Sequence, residues 1–234
     1  MAVELRTALG VWLAAWLLIQ VVVSLLLAVG GFPLDVAEMP LGGLVTVFAV
    51  GWVIWVAALW YAAEGRRGRE AGVGWRAAYG AQWRPIDAVG LAVGAVLQFV
   101  MPVVVYTPLR AIWPGVFSDD AVNEFAENLF DRATSPLSLA ILVAIVVVGA
   151  PVIEEFVYRG LLQRSLATRL SPWLAVVAVA VVFALIHARP VEYPGLFVVG
   201  LCFGAALVLT GRIATAIAVH MGFNLAAVLV VWPT

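Results

Sequence analysis

Residues 137–162 read LSLAILVAIVVVGAPVIEEFVYRGLL, an apolar stretch that ends with two adjacent carboxylates and a guanidinium (Glu154, Glu155 and Arg159). A helix needs about 20 mainly apolar residues to cross the hydrocarbon core of a bilayer, so this stretch predicts a transmembrane helix. Ionisable side chains are costly at that depth, and they are retained mainly where they pair, line a cavity or do chemistry. The stretch therefore predicts both a membrane protein and an intramembrane functional site.

The composition of the whole chain agrees with this interpretation. The chain has 234 residues, of which 65% are hydrophobic and 12% are charged, whereas a soluble domain has about 25% charged residues. We predict an all-α membrane protein in one integral membrane domain (1–234), a polytopic bundle of about seven transmembrane helices around an intramembrane polar cavity. The motif-bearing core covers about 137–232, and accessory helices cover about 8–106. The predicted spans are 8–30, 41–63, 88–106, 137–162, 172–189, 194–210 and 213–232.

Cysteine and glycine patterns exclude several classes of function. The one cysteine, Cys202, excludes an intrachain disulfide and a cysteine-based zinc framework. Gly90 to Gly94 lies inside an apolar span and lacks the context of a nucleotide-binding loop, and we expect no nucleic-acid partner. The first apolar run, from Leu9 to Val29, is too long for the core of a signal peptide, and we expect it to be a retained span.

The thirteen arginines are distributed unevenly between the connections, which predicts the orientation of the chain in the membrane. The second, fourth and sixth connections are basic and the third, from Thr107 to Pro136, is acidic. If Arg159, at the end of its span, is counted as inside, ten arginines lie on the cytoplasmic side and three outside (Arg110, Arg132 and Arg189). We expect a cytoplasmic N-terminus, an external C-terminus and, from a bacterial type of composition, a place in the inner (cell) membrane.

The acidic connection contains one amphipathic segment, Ser118 to Arg132. Ser118 can cap a helix there, and one face carries the apolar residues Val122, Phe125, Ala126 and Leu129. The pattern is typical of an interfacial helix lying on the membrane. A lid or substrate-docking element over the site is the alternative.

Both histidines of the chain, His187 and His220, lie in apolar runs at depths that match Glu154. Glu154 precedes the turn at Leu170 by 16 residues and His187 follows Ser171 by 16, so both lie about 24 Å from that turn in an antiparallel helical pair. His220 lies about 12 Å along the last span. The polar residues from Gln163 to Arg169 indicate that the turn protrudes into the cytosol, so the depth of Glu154 and His187 within the bilayer is smaller and overlaps that of His220 within plausible helix tilt. Three helices can therefore present polar groups to one cavity.

Spacing along the helices predicts which of these groups share a face. Residues four apart are neighbours on a helix, so Glu155 pairs with Arg159, Phe183 with His187 and His220 with Asn224. Glu154 lies about 100° round the helix from Glu155 and is left to face the histidines. A structural ion pair, a packing role for Phe183 and a helix-packing role for Asn224 are the simplest interpretations of each group alone.

Two chemistries fit the set of polar groups. In the first, Glu154 takes a proton from water that His187 holds, and His220 and Asn224 donate hydrogen bonds to an oxyanion. In the second, Glu154, His187 and His220 bind zinc with water in the fourth position. The sequence leaves both open, so the cofactor is either zinc or none.

These residues form three ordered motifs that resemble a known family. The motifs are EExxxR (Glu154, Glu155, Arg159), FxxxH (Phe183, His187) and HxxxN (His220, Asn224). They are similar to the motifs of the CAAX-protease and bacteriocin-processing family (CPBP, or Abi) of intramembrane endopeptidases. The similarity covers roughly residues 140–230.

The resemblance implies a glutamate- or metal-dependent peptidase, and some members have been called metalloproteases. It implies that Glu154 activates water, that His187 cooperates, that His220 and Asn224 bind the oxyanion and that Glu155 and Arg159 support them. Eukaryotic members cleave prenylated CAAX proteins; for this chain we expect only a membrane-associated protein or peptide substrate and a site open toward the cytoplasmic side.

Other classes of function are less compatible with the pattern. A non-hydrolytic immunity or scaffold protein of the same fold would bind peptides or partner helices and would tolerate loss of Glu154. A proton-coupled transporter would carry broken helices in two inverted halves, whereas the motifs here lie in one half. A bis-histidine haem protein has no use for the adjacent pair Glu154 and Glu155. The sequence carries no signal for the oligomeric state.

Overall fold

The computed structural model describes residues 2–33, 38–64 and 74–231, and these residues form helices with no β-strand among them. The elements are α1 (Leu5–Gly30), α2 (Leu41–Glu64), α3 (Trp75–Tyr79), α4 (Pro85–Ile112), α5 (Asp119–Phe130), α6 (Pro136–Leu166), α7 (Pro172–Ile186), α8 (Tyr193–Thr210) and α9 (Ile213–Val231). Several charged residues used to predict the topology lie outside the described residues: Asp35, Arg66, Arg67 and Arg69. The C-terminal end of the chain, residues 232–234, also lies outside them.

Six of these helices (α1, α2, α4, α6, α8 with the preceding turn, and α9) are long and apolar enough to cross a membrane. The seventh apolar helix, α7, has 15 residues, about 22 Å of helix against a hydrocarbon core of about 30 Å. The predicted all-helical bundle is confirmed, and the predicted count of about seven spans agrees with six full-length helices and one short one. The seventh helix is shorter than predicted because α7 ends at Ile186, whereas the predicted span ran from 172 to 189.

Helix boundaries follow from local sequence. Ser135 caps α6, because its Oγ accepts a hydrogen bond from the Ser138 N–H at 3.1 Å, and Pro136 occupies the first helical position, where no N–H is needed. Ser171 and Pro172 start α7 in the same way. Gly211 ends α8 in the left-handed conformation at φ +69°, which glycine adopts without steric cost.

Helix α6 contains two π-helical segments, Ala144–Gly149 and Glu155–Gln163. Each backbone hydrogen bond in such a segment spans five residues, which shifts the side chains that follow around the helix axis. The second segment starts at Glu155 and includes Arg159, so it changes how the predicted site residues face their neighbours.

Glycines bring the helices that carry the site into close contact. Helices α4 and α9 meet at Gly90, Gly94 and Gly222, where an added Cβ would overlap the facing backbone. Helix α8 approaches α7 at Gly200, where a Cβ would lie 3.2 Å from the Cβ of Ala180. Such small residues let backbones pack tightly in membranes, where helix association depends on van der Waals contact.

The basic connections meet at one end of the bundle. The Ile213 N–H donates to the Gly80 carbonyl at 3.1 Å, and Arg212 Nη2 pairs with Asp87 at 2.7 Å. Burial raises the pKa of the Tyr79 phenol above its usual range. Arg164, which precedes the fourth connection, donates from Nε to the Ala78 carbonyl at 3.1 Å. The described parts of the second, fourth and sixth connections therefore share one side, which agrees with the predicted alternation.

Helix α5 forms as the amphipathic pattern predicts. The Ser118 Oγ accepts a hydrogen bond from the Ala121 N–H at 3.2 Å. Its apolar face, with Val122, Phe125, Ala126 and Leu129, lines a cavity of about 500 Å³. The apolar face of α5 therefore faces the bundle and covers this cavity beside α4, α8 and α9.

Candidate active site

A buried ion pair lies at the centre of the candidate site. Glu155 and Arg159 are both 0% exposed, and Arg159 Nη1 donates to Glu155 Oε1 at 3.0 Å. Arg159 Nη2 also donates to the Gly200 carbonyl of α8 at 2.9 Å. The predicted i,i+4 pair is thus present, and it also ties α6 to α8.

Two aromatic rings flank the guanidinium of Arg159. Its Cζ lies 4.6 Å from the ring centre of Phe183 and 5.2 Å from that of Phe203. Cation–π contacts of this kind stabilise a desolvated cation. Phe183, for which packing was the simpler interpretation, therefore packs against the site itself.

His220 is bound to the same carboxylate as Arg159. Its Nδ1 lies 2.8 Å from Glu155 Oε1, and its ring stacks on Phe203 at 4.3 Å. An ionised carboxylate only accepts hydrogen bonds, so Nδ1 carries the proton. The ring is 5% exposed and is therefore fixed in both orientation and tautomer.

Glu154 lies on the other side of the His220 ring. Its Oε2 is 3.9 Å from His220 Nε2, and its side chain is 28% exposed. It lines a cavity of about 220 Å³ between α1, α2, α6 and α7. The two adjacent glutamates therefore occupy different surroundings, as their angular separation on the helix predicts: Glu155 is fully buried and Glu154 reaches a cavity.

His187 follows the last residue of α7. Its Nδ1 lies 2.6 Å from the Phe183 carbonyl, which can only accept, so this imidazole also carries its proton on Nδ1. The next residue, Ala188, adopts φ +54°, an uncommon conformation for a residue with a side chain. Both histidines therefore keep Nε2 available.

Asn224 lies one turn after His220 on α9 but contacts a different group. Its Nδ2 donates to the Val146 carbonyl of α6 at 2.8 Å. Asn224 lines the cavity of about 500 Å³ under α5, whereas Glu154 lines the smaller cavity. The structure thus brings Glu154, Glu155, Arg159, Phe183 and His220 together, with His187 beside them, and places Asn224 on the wall of a second cavity.

Three contributors to the site were not among the residues that the sequence suggested: Gly200, Phe203 and Gln163. The Gln163 Nε2 donates to the Gly204 carbonyl at 3.0 Å, one turn from the contact of Arg159 with Gly200. The pair Gly200 and Gly204, four residues apart in an apolar run, is a recognisable sign of close helix packing. No sequence signal identifies Phe203 as the ring that stacks on His220.

The predicted zinc ligands do not form an assembled metal site. Within residues 2–33, 38–64 and 74–231, no three His, Cys, Asp or Glu side chains are grouped closely enough to hold a metal ion. The two free Nε2 atoms are of the right chemical type, but with Glu154 they are not gathered around one point. We therefore derive no step through a metal.

Comparison with known proteins agrees with the three motifs. Residues 136–226 match the family model described as type II CAAX prenyl endopeptidase Rce1-like. No curated protein and no solved structure matches the chain. The matched region begins at α6 and contains every residue of the three motifs. Residues 136–226 are therefore similar to the CPBP family of intramembrane endopeptidases, to which this family model belongs.

Proposed function

We propose that the protein is an intramembrane endopeptidase that hydrolyses a peptide bond of a membrane-associated protein or peptide. The observation that carries this proposal is the position of His220 between two carboxylates. Its Nδ1 is bound to Glu155 at 2.8 Å, and its Nε2 faces Glu154 at 3.9 Å. The match of residues 136–226 to the family model supports a CAAX-type endopeptidase in general, and this geometry supports specific roles for the residues.

Water activation is assigned to Glu154 with His187. Glu154 is partly exposed to a cavity, so it can receive a water molecule, and a carboxylate in such surroundings can take and return a proton. The imidazole of His187, with Nε2 available, orients that water by accepting its second hydrogen bond. The water oxygen attacks the carbonyl carbon as Glu154 takes its proton.

Stabilisation of the oxyanion is assigned to His220 and Asn224. With Nδ1 bound to Glu155, the His220 ring can donate from Nε2 only when both of its nitrogens carry a proton. One N–H of the Asn224 side-chain amide donates to the Val146 carbonyl, and its second N–H donates to the oxyanion. Preorganised donors of this kind act most strongly in a site that excludes water. When the C–N bond breaks, the proton held by Glu154 passes to the leaving amine.

Glu155 and Arg159 act as positioning residues. Glu155 fixes the tautomer and orientation of His220, a role that a buried carboxylate commonly has toward a catalytic imidazole. Arg159 balances the charge of Glu155 and, through Gly200, fixes α6 against α8. Breaking one member of such a buried pair leaves an uncompensated charge.

The basic connections support one orientation of the chain in the membrane. We propose a cytoplasmic N-terminus, an inner-membrane location and a substrate path from the cytoplasmic side, based on the arginine distribution. The cofactor assignment in this mechanism is none. Zinc held by Glu154, His187 and His220 is the alternative that metal analysis tests.

The test compares peptides in membranes that contain the wild type, Glu154→Gln or the control Glu124→Gln. Glu124 is exposed on α5, so its substitution should leave the peptide profile unchanged. We expect cleavage products with wild type and control, and none with Glu154→Gln. Products that persist with Glu154→Gln would rule out the assigned base, and no products from any of the three would favour a non-hydrolytic binding protein.

A further inference from the structure

A cavity of about 790 Å³ forms a groove between α1 and α2, apart from the candidate active site. Its walls are the first half of α1, from Arg6 to Leu18, and the second half of α2, from Val53 to Ala62. The exposed fractions of Leu18, Val53 and Tyr61 are 50%, 69% and 62%. The α1–α2 groove therefore faces outward, and no residue of the three motifs lines it.

Small side chains keep the α1–α2 groove open. Gly10, Ala14, Ala57 and Ala58 are among the residues that line it, and a Cβ added at Gly10 would meet nothing within 4 Å. Small residues that lie in direct contact bring two helices together, but here they leave a space between the helices. The volume of that space lies in the range of about 300–1,000 Å³ that is typical of sites for small molecules.

The length of the groove corresponds to one leaflet of a bilayer. Arg6 and Leu18 are 12 residues apart, which is about 18 Å along a helix, and half of the hydrocarbon core is about 15 Å thick. Because α2 follows α1 and runs back beside it, Tyr61 lies at the Arg6 end and Val53 at the Leu18 end. An acyl chain in the groove would therefore extend from the membrane surface to near the midplane.

Polar groups are confined to one end of the groove, where Arg6, Thr7 and Tyr61 line it. The described residues that line the groove include no carboxylate. Glu64, at the end of α2, accepts a hydrogen bond from the Trp75 N–H at 3.2 Å. A guanidinium binds phosphate oxygens through two parallel N–H groups, so the exposed side chain of Arg6 suits a phosphate at the mouth of the groove.

The Thr7 hydroxyl is a second observation that indicates a ligand. Its Oγ1 is buried and has no hydrogen-bond partner among the described residues. A threonine in a helix usually donates to the carbonyl four residues earlier. That carbonyl is the one of Val3, which accepts from the Ser165 Oγ at 2.8 Å. Buried polar atoms nearly always have a partner, and an ester oxygen at the head of an acyl chain would supply one.

The end of the bundle at which the groove begins is basic. The bond between Ser165 and Val3 holds the start of α1 beside the basic connections, and Arg76, Arg84 and Arg169 are exposed there. Basic residues next to membrane helices attract anionic lipids, and basic pockets between such helices bind their headgroups. The charge at the mouth of the groove is therefore complementary to an anionic headgroup.

From these observations we infer that the α1–α2 groove is a binding site for an anionic phospholipid. Arg6 binds the phosphate, Thr7 donates to an ester oxygen, and one acyl chain follows the groove to Leu18 and Val53. A zwitterionic lipid places a cation beside the same phosphate, so the charge of Arg6 favours the anionic headgroup. The inference is independent of the proposed peptidase function, because none of the catalytic residues lines the groove.

Native mass spectrometry of the purified protein in detergent measures the binding. The protein is titrated with phosphatidylglycerol or with phosphatidylcholine of the same acyl chains, so that only the headgroup differs. Arg6→Gln removes the charge at the mouth, and Ala14→Trp fills the groove. The matched controls are Arg169→Gln and Leu9→Trp, which make the same kinds of change at exposed positions that do not line the groove.

Photolabelling locates the bound lipid. The wild type is reconstituted into vesicles of phosphatidylcholine that contain phosphatidylglycerol with a diazirine near the end of one acyl chain. After irradiation, the labelled residues are identified by mass spectrometry of peptides. We expect label on Leu18, Val53 or Ile54, which line the deep end of the groove.

Phosphatidylglycerol should bind more tightly than phosphatidylcholine. Arg6→Gln should weaken the binding of phosphatidylglycerol about 5-fold, the contribution of one basic residue at an anionic membrane surface, and should leave phosphatidylcholine unaffected. Ala14→Trp should weaken both lipids at least about 10-fold, the scale of a lost fit in an apolar pocket, and both controls should bind as the wild type does. Should Ala14→Trp fail to fold, Ala57→Leu narrows the groove from α2.

Three results would overturn the inference. Equal binding of the two lipids, or an equal loss of phosphatidylglycerol with Arg169→Gln and Arg6→Gln, would remove the selectivity for an anionic headgroup. Label outside the groove, or binding that neither Ala14→Trp nor Ala57→Leu weakens, would remove the site. A dimer of the wild type that Ala14→Trp converts to a monomer would assign the groove to a second copy of the chain.

Discussion

Oε1 of Glu155 accepts two hydrogen bonds, from His220 Nδ1 at 2.8 Å and from Arg159 Nη1 at 3.0 Å. Glu155 therefore holds an imidazole of α9 and a guanidinium of its own helix at once. The sequence predicts only the ion pair for Glu155, but this carboxylate also fixes the tautomer of His220. Its removal should therefore lower both the stability of the fold and the rate of hydrolysis.

Glu155→Gln should destabilise the fold more than Glu154→Gln does. The amide leaves Arg159 without a counter-charge in a fully buried site, and breaking such a pair costs about 3–5 kcal/mol. The unfolding temperature in detergent should drop for Glu155→Gln and remain near that of the wild type for Glu154→Gln. Turnover should fall at least about 100-fold for Glu154→Gln, the scale of general-base loss. The opposite pattern would mean that the roles of the two glutamates are reversed.

Substitution of the two oxyanion donors should reduce rate more than binding. His220→Ala and Asn224→Ala should each lower kcat by about 10²–10³, the scale for one oxyanion-hole donor. Glu124→Ala on the exposed face of α5 is the matched control and should keep the wild-type rate. An unchanged kcat for Asn224→Ala would limit that residue to its contact with Val146.

Metal content separates the two chemistries assigned to the histidines. If the metal-free mechanism holds, His187→Ala and His220→Ala should not alter metal content, and a chelator should leave activity intact. Elemental analysis of the purified protein beside the two variants makes this measurement. Stoichiometric zinc in the wild type, lost with activity in both variants, would establish the zinc mechanism instead.

Reporter fusions test the orientation in the membrane. Fusions at Arg76 and Thr234 should report opposite sides, with Arg76 cytoplasmic, because the arginine distribution predicts that the second connection is inside and the C-terminus outside. A second fusion at Trp113, in the acidic connection, should report the same side as Thr234. Fusions at Arg76 and Thr234 that report the same side would contradict a chain that crosses the membrane seven times.

Adding one methyl group at Gly94 should disrupt the tight contact between α4 and α9. Gly94→Ala places a Cβ against the Val219 carbonyl, with no flexible side chain there to move away, and overpacking of this kind costs about 1–3 kcal/mol. The unfolding temperature should fall. Gly10→Ala is the control, since its Cβ would meet nothing within 4 Å and alanine is the better helix former; equal destabilisation by both would argue against the tight contact.

Local patterns account for the parts of the site that the sequence predicts correctly. The pair Glu155 and Arg159, the cap at Ser118 and the apolar spans all depend on residues close in the chain, where helix geometry fixes the distances. The contact between His220 and Glu155 joins residues 65 apart, and it depends on how α9 packs on α6. Helical periodicity carries no information about that packing.

Irregular backbone explains most of the remaining differences. The π-helical segment at Glu155–Gln163 alters the side-chain directions that a regular helix would give. Ala188 ends α7 early and leaves His187 at its terminus. The separation of Glu154 from Asn224 follows from cavities between helices, which depend on tertiary packing and have no signature in a single sequence.

Glu154 and Asn224 line two different cavities. The smaller cavity lies between α1, α2, α6 and α7 and includes Glu154, and the larger one has walls from α4, α5, α8 and α9 and includes Asn224. Substitutions on α1 and α2 therefore alter the surroundings of Glu154, whereas substitutions on α4 and α5 alter those of Asn224, so the two groups can be perturbed separately.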